Sequence, residues 1–559
     1  MLIYTQHSRM KPGKIIEKIA NFIPFLAVFV ASLFHPSDPD LGWYLKYGEY
    51  FFKNHSILRE NIFSSQMTDF KWVNHSWGTD LITYLTFNNF GFLGFSILGA
   101  FTITTTFYFF SKAAKLDIFE KALIFPPLLY FLSPLNSVSF RGQLLSLMLL
   151  GILTYILTIT TSRHSHPSVV PTKTRIGINP SENPILNQVE DDKILYLLPL
   201  LFAIWSNLHG QFILGLAVFA IWIAANISSE IFQSGLKATL ASLCKRPGLG
   251  STLSWKRPGL KLIAVFAASA LAVSINPYGI GVYEETLKHF GNPLEAYISE
   301  WIPFKMLTIP WWGQVFAGLT VFFGIIFLAF TDKIKSKIPQ ISIAAIVYML
   351  SFSVRRFVWP MYYLVIPLFA PVAGFFKPES KRYANIAGSC IFLIYLILTF
   401  AFANPIKRLQ NMSWQSYCQK YVFCSDSAIN YLKDNLNARL LNAPPAGEAG
   451  RLLTYYGWGG YMIANHPEIK PSVDGRMTLW RNENGPPSRA GEAGYSAFEE
   501  YYAYEQNRKE IDDSNYNVVL MYKEKPLYNH LLTLVEAGKW QQPYVDQFSG
   551  VFVRSPVSF

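Results

Sequence analysis

Runs of about 20 apolar residues, separated by short polar stretches, dominate the first 400 positions and predict membrane-spanning helices. The windows fall at 15–34, 88–110, 117–133, 142–161, 192–208, 211–232, 260–278, 311–330, 338–354, 357–376 and 385–404, about eleven in all. Between the first two lies a loop, 35–87, with a pattern of its own. Leu41, Tyr44, Leu45, Gly48, Phe51 and Phe52 recur at helical spacing, which predicts an amphipathic helix lying on the bilayer with Asp40 at its N-cap. A second interfacial helix is expected from Ser76-Trp77 into Leu81–Leu85. After 405 charged and turn residues become frequent, and strand-like runs appear at Asn517–Tyr522 and Gly550–Val553. The expected fold is therefore mainly α: a multi-pass transmembrane helical bundle over 1–404, then a soluble α/β domain over 405–559.

Composition supports the membrane reading, because only 15% of the 559 residues are charged where a soluble chain carries about 25%. Basic residues then orient the spans. The N-terminal cluster, Lys112, Lys115 and Lys121, Arg163 to Arg175, Lys245 and Arg246, Lys256 and Arg257, Lys333 to Lys337, and Lys381-Arg382 fall on one side of the alternation. Loops 35–87, 134–141, 209–210, 276–310, 355–356 and the tail fall on the other. The positive-inside rule makes the first side cytoplasmic, so the tail is expected outside the cell membrane and the N-terminus within. The first span reads as retained rather than as a cleaved signal peptide, since no small-residue cleavage site follows Phe34. The net charge of +12 is spread over these loops, which argues against nucleic acid as a partner. Cys418 and Cys424 stand close together outside, either as a disulfide or as two ordinary small residues. Loop 161–191 is rich in Ser, Thr, Pro and Asn and reads as disordered. The duplicated Lys-Arg-Pro-Gly-Leu (245–249, 256–260) and Ala-Gly-Glu-Ala-Gly (446–450, 490–494) read as repetitive insertions in surface loops.

Chemistry-bearing residues gather on the outer face. In Asp38-Pro39-Asp40 the proline keeps the backbone extended and the carboxylates apart. The pair suits a general base for an acceptor hydroxyl, or a metal-linked pair that positions a phosphate; a helix cap and a solvated acid are the plainer alternative. Arg355-Arg356 break the charge rule in a short outer turn and suit a lipid phosphate, with an interfacial anchor as the alternative. Arg141 is a similar candidate at the outer end of another span. Asn207 and His209 sit in a polar turn at membrane depth, as an acceptor contact or as a satisfied helix-end network. Asn276 and Tyr278 lie in a Pro-Tyr-Gly turn, and Glu300-Trp301 pair a carboxylate with an aromatic face, a combination that suits sugar. In the tail, Tyr455 to Tyr461 form either an aromatic sugar surface or a packed core, and Asp474-Gly475-Arg476 reads as a turn whose ends pair. The chain carries no P-loop, dinucleotide fingerprint, HExxH or CxxC pattern.

The run Asp38-Pro39-Asp40-Leu41-Gly42-Trp43-Tyr44-Leu45-Lys46-Tyr47-Gly48-Glu49, followed by Trp72-Val73-Asn74-His75-Ser76-Trp77, resembles the first outer loop of bacterial GT-C-type glycosyltransferases. Asn207-Leu208-His209-Gly210, Asn276-Pro277-Tyr278-Gly279 and Asp474-Gly475-Arg476 resemble a branch of such multi-spanning proteins that carry a soluble tail. The resemblance implies a hexosyl or pentosyl transferase that moves sugar from a polyprenyl-phosphate carrier to a glycan, lipid or protein acceptor at the outer face. It also implies a first-loop carboxylate (Asp38 or Asp40) as base and Arg355, Arg356 or Arg141 on the carrier phosphate. His75, Trp77, Asn207, His209, Asn276, Tyr278, Glu300 and Trp301 are left to hold acceptor or sugar among membrane lipids. No cofactor is required by this reading, and a divalent metal stays open. Relatives often carry Trp-His-Leu where Trp43-Tyr44-Leu45 stands here, so that histidine's role is absent or passes to Tyr44 or His75. A lipid-linked glycan transporter would carry polar groups deep within its spans and at both faces. A non-enzymatic envelope assembly protein would use the tail as a binding module.

Overall fold

The computed structural model describes residues 12–68, 70–162, 193–234, 258–289, 298, 300–301, 303, 311–331, 334–410, 412–435, 451–481 and 494–555. Most of the serine-rich loop and of the duplicated segments lies outside these ranges.

The apolar windows fold as helices. Among the described residues, Trp77–Ala114, Gly142–Thr160, Phe212–Ser229, Trp311–Phe330 and Lys381–Ala403 are long and apolar enough to cross a membrane. Arg355–Leu364 and Ile366–Phe375 together form a sixth candidate, bent by 47°. The shorter apolar helices Ala20–Ala31, Lys193–Leu208, Leu260–Ala272 and Ile338–Ser353 complete the set, with Ile118–Phe131, which opens on a capping box between Asp117 and Glu120. One large core containing Phe107, Leu153, Trp205, Phe219 and Met361 joins them.

One expectation about this loop changes. The helix expected from Ser76 is present from Trp77, and a non-helical residue separates it from the span that ends at Ala114. The break falls at Gly91, whose φ of 57° lets the chain kink where a side chain would resist. The amphipathic helix is present as Leu41–Asn54, but it is clamped between protein surfaces rather than laid on the bilayer. Its Gly48 meets Asp80 and Tyr84 of the long helix, and its Gly42 meets the Gly460 carbonyl of the tail. Leu41, Gly42, Trp43, Leu45, Tyr47 and Gly48 are all buried. Asp40 occupies the N-cap position without capping, because its side chain accepts no backbone N–H of the helix. That leaves its carboxyl available for other work.

The tail contains a four-stranded sheet of β1 (Arg451–Thr454), β2 (Tyr516–Tyr522), β3 (Trp540–Val545) and β4 (Ser549–Arg554), in the order β1-β2-β4-β3. β1 runs parallel to β2, and the other pairs are antiparallel. The strand-like runs read from the sequence are thus the two central strands. Cys418 and Cys424 are joined by a disulfide near the start of the tail.

The tail shares its interior with the outer loop. One core places Trp43, Tyr47 and Trp72 with Tyr501, Val519 and Phe552, and another places Leu41, Leu45 and Phe95 with Trp458, Leu520 and Val551. Burying large side chains from both segments in one core ties them together at about 1.5–3 kcal/mol for each fully buried apolar residue. A Gly42→Ala substitution will test how tightly they seat, because its Cβ would enter the Gly460 carbonyl and neither backbone can move freely. We expect a loss of about 1–3 kcal/mol, read as a lower Tm in detergent; an unchanged Tm would contradict the close seating.

Candidate functional site

The loop 35–87, residues near 141, 209, 300 and 356, and the tail line one cavity of about 480 Å³. The paired acids lie on its wall. Asp38 is buried at the turn before the Leu41–Asn54 helix, where its Oδ1 accepts the Asp40 backbone N–H at 3.0 Å. Tyr417 of the tail donates its hydroxyl proton to the Asp38 carbonyl. Pro39 separates the two acids, and Asp40 is half-buried with its carboxyl toward the cavity. The Gly475 backbone passes so close to that carboxyl that a Cβ there would collide with it.

Arg141 organises the acids. Its Nε lies 3.3 Å from Asp38 Oδ2, its Nη2 3.6 Å from Asp40 Oδ2, and its Nη1 donates to Glu300 Oε1 at 2.9 Å. The electrostatics follow from burial and these contacts. Burial pushes the Asp38 carboxyl up, against the pull of Arg141. Burial, with the neighbouring Asp38 charge, pushes Asp40 up to about 7. Burial also opposes the Glu300 charge, but Arg141, with Arg356 behind it, holds that carboxyl below its ordinary value. Burial likewise works against the Arg141 charge, and the surrounding acids hold its pKa well above the ordinary value. Asp40, beside buried Asp38 and a permanent cation, is a proton-accepting group poised near neutrality.

At the other end, Glu300 is followed in the chain by Trp301, and the Arg356 guanidinium lies 4.9 Å from that indole centroid. Arg356 Nη2 reaches His209 Nε2 at 3.4 Å, and Ser146 Oγ bonds to His209 Nδ1 at 2.9 Å while accepting from Trp205 Nε1. His289 stacks on Trp301 with ring centroids 4.9 Å apart, and His75 stands edge-on to both His209 and His289. Burial, with the Arg356 charge, pushes His75 down to about 4 and lowers His209 and His289 as well. Neutral imidazoles therefore surround one guanidinium beside a side chamber of about 50 Å³. The arrangement offers hydrogen bonds and a single positive charge, which suits an anionic group.

Of the residues singled out in the sequence, Asp38, Asp40, Arg141, His75, His209, Glu300, Trp301 and Arg356 line this cavity. Five others do not. Arg355, in the same 3₁₀ turn as Arg356, is not on the wall. The Trp77 indole donates to Asn207 Oδ1 at 2.8 Å, and the Asn207 amide donates to the Ala203 and Ile275 carbonyls. Asn276 closes its own turn by donating to Val273 and Gly279, and the Tyr278 hydroxyl is 3.1 Å from that of Tyr47. Trp77, Asn207, Asn276 and Tyr278 thus hold the outer turns together through hydrogen bonds already made within the protein. Arg141, expected on a phosphate, has its fork turned onto carboxylates instead.

Other wall residues went unread in the sequence. Asp80 is buried and accepts from Asn74 Nδ2 at 2.6 Å, and both line the cavity. Its acidic position in an apolar helix was the available signal. His289 sits in a stretch without a pattern. Of the aromatic run that was read, Tyr455, Tyr456 and Gly457 line the cavity while Trp458 and Tyr461 are core.

A metal does not fit these residues. Among the described residues no three His, Cys, Asp or Glu side chains are grouped so as to hold an ion. The carboxylates that could contribute converge on the Arg141 guanidinium.

No family model and no curated protein matches the chain. Solved structures do match in fold. Archaeal oligosaccharyltransferase AglB from Archaeoglobus fulgidus, in complex with an inhibitory peptide and a dolichol-phosphate, aligns over 91% of this chain and 70% of its own, with 10% identity and a TM-score of 0.51. The Archaeoglobus fulgidus oligosaccharyltransferase tethered to an acceptor peptide with the NVT sequon aligns over 92% and 70%, with 10% identity and a TM-score of 0.48. The likeness is one of architecture: this chain has a GT-C-type fold, a helical membrane domain followed by a tail with a small sheet.

Proposed function

We propose that the chain is a membrane glycosyltransferase that moves a sugar from a lipid-linked phosphate donor to an acceptor. The carrying observation is that one cavity holds both Asp40, an acid poised near neutrality, and Arg356, a cation among neutral imidazoles. In this reading Arg356 holds the carrier phosphate and Trp301 offers an apolar face to the sugar. The acceptor oxygen attacks the anomeric carbon and its proton passes to Asp40. The bond from that carbon to the phosphate oxygen breaks with inversion, and the phosphate departs on its lipid. Asp38 holds the Asp40 backbone and shares Arg141, which makes Asp40 the base and Asp38 its positioning residue. The GT-C-type fold supports this reading, since the AglB structure binds a dolichol-phosphate and a peptide. The finer expectation, a polyprenyl-phosphate hexose or pentose at the outer face of the cytoplasmic membrane, belongs to the same proposal.

A transfer assay in nanodiscs with a panel of polyprenyl-phosphate and polyprenyl-diphosphate sugars tests it. Arg356→Ala removes a charge-assisted contact of about 1.5–3 kcal/mol, so KM for the donor should rise roughly 10- to 100-fold. Transfer with an unaltered KM would remove Arg356 from the phosphate, and no transfer with any lipid-linked donor would sink the activity. The acids and Arg356 share one cavity, which favours a transferase over a transporter. The tail helps build the cavity rather than standing free, which disfavours a separate binding module.

A further inference from the structure

Three acids and one guanidinium occupy the heart of the cavity, and their geometry has a consequence for metal use. Asp38, Asp40 and Glu300 come from two segments more than 250 positions apart, yet each carboxylate approaches a different nitrogen of Arg141, at 3.3, 3.6 and 2.9 Å. Three carboxylates collected from distant parts of a chain repel one another unless a cation sits among them. In many enzymes that cation is a divalent metal, for which carboxylate oxygens are the natural hard ligands. Here the guanidinium fills the place. It cannot lose its charge, its planar fork meets several oxygens at once, and it is covalently part of the chain. Arg356 lies beyond Glu300 and adds a second positive charge.

We propose that Arg141 is the resident cation of this site: it holds the position among Asp38, Asp40 and Glu300 that a divalent metal would otherwise take, and the site takes up no such ion. The inference deepens the transferase reading, since a fixed charge beside Asp40 would hold the base in place without a metal. It also stands apart from that reading, because occupancy by a metal can be measured with no turnover at all.

The experiment compares thermal unfolding of the full-length protein in detergent with EDTA and with millimolar MnCl₂. The wild-type Tm should be the same in both. Arg141→Gln strips the cation from the three acids, so its Tm should be lower in EDTA and should rise by several degrees in MnCl₂, because an ion that binds only the native state stabilises it. Manganese EPR should then report one bound ion in the variant and none in the wild type. If Arg141→Gln is not recovered in EDTA, a monodisperse chromatographic peak obtained only when MnCl₂ is present is the same result. A Glu300→Gln substitution added to Arg141→Gln should abolish the response, which separates this site from adventitious ones. A wild-type Tm that rises with MnCl₂, or an Arg141→Gln protein that gains nothing from it, overturns the proposal. A wild type inactive with every donor would sink the transferase reading and leave these outcomes unaffected.

Discussion

An Asp40→Asn variant will lose transfer activity by about 10²- to 10⁴-fold, the usual contribution of a positioned proton acceptor, while keeping its fold. Asparagine fills the same volume but takes no proton. The wild-type dependence on pH carries the second half of the expectation. With Asp40 pushed up to about 7 by burial and by the Asp38 charge, kcat/KM should climb as pH rises through about 7, where the carboxyl loses its proton. The same shift acts on stability with the opposite sense. A folded-state pKa raised above the ordinary 3.8 favours the protonated form. Its stabilisation is full below that ordinary value and is lost as pH rises through about 7. Over this window the wild-type Tm should fall relative to that of Asp40→Asn, which lacks the titrating group. A variant within two- or threefold of wild-type turnover, or a flat rate profile, would remove Asp40 from the role of base.

Replacing Arg476 with alanine will destabilise the protein by about 3–5 kcal/mol, the cost of leaving a buried charge without its partner. The Asp474 and Arg476 side chains are wholly buried, and the guanidinium meets the Asp474 carboxylate through Nε at 2.8 Å and Nη2 at 2.7 Å. Nη2 also donates to Asn61 Oδ1 at 2.9 Å and to Ser64 Oγ at 3.0 Å, both in the outer loop. Phe63, Trp72 and Trp480 surround the same guanidinium, with ring centroids 5.0 to 5.4 Å from its carbon. The pair therefore rivets the tail onto the loop, directly beside the Gly475 backbone that touches Asp40. Thermal melts of Arg476→Ala, Asp474→Asn and the double variant form a cycle. The double loss should be clearly smaller than the sum of the singles, since each single change strands the other charge. A single variant within about 1 kcal/mol of wild type would show that the pair does not join the two segments.

Much of this architecture is local information. An apolar run long enough to cross a bilayer has few folded alternatives to a helix, and so the windows from 88–110 onward find helices in the structure. The strand-like runs Asn517–Tyr522 and Gly550–Val553 likewise fall in β2 and β4. The Asp38-Pro39-Asp40 turn is visible because two acids at the end of an apolar span are costly without a purpose. Asn207, which leaves the cavity, was read from the same cost. It demands only that a polar group be satisfied, and Trp77 with Asn207, or Asn276 within its own turn, satisfies it inside the protein. Arg141 does stand at the end of a long apolar helix, just before Gly142. Its partners, however, are carboxylates that approach it from positions 38, 40 and 300.

The sequence by itself thus determined a helical membrane protein with a mixed α/β tail and acidic, basic and aromatic groups on one face, because hydrophobic period and charge placement act over a few turns of chain. Only the tertiary structure decided that the tail closes over the first outer loop, that Asp40 is freed from capping its helix, and that Arg141 rather than the solvent neutralises the acids. Those outcomes depend on packing between segments hundreds of residues apart, such as Gly42 against Gly460 and Ser64 against Asp474. No local pattern encodes which distant partner a buried charge will meet.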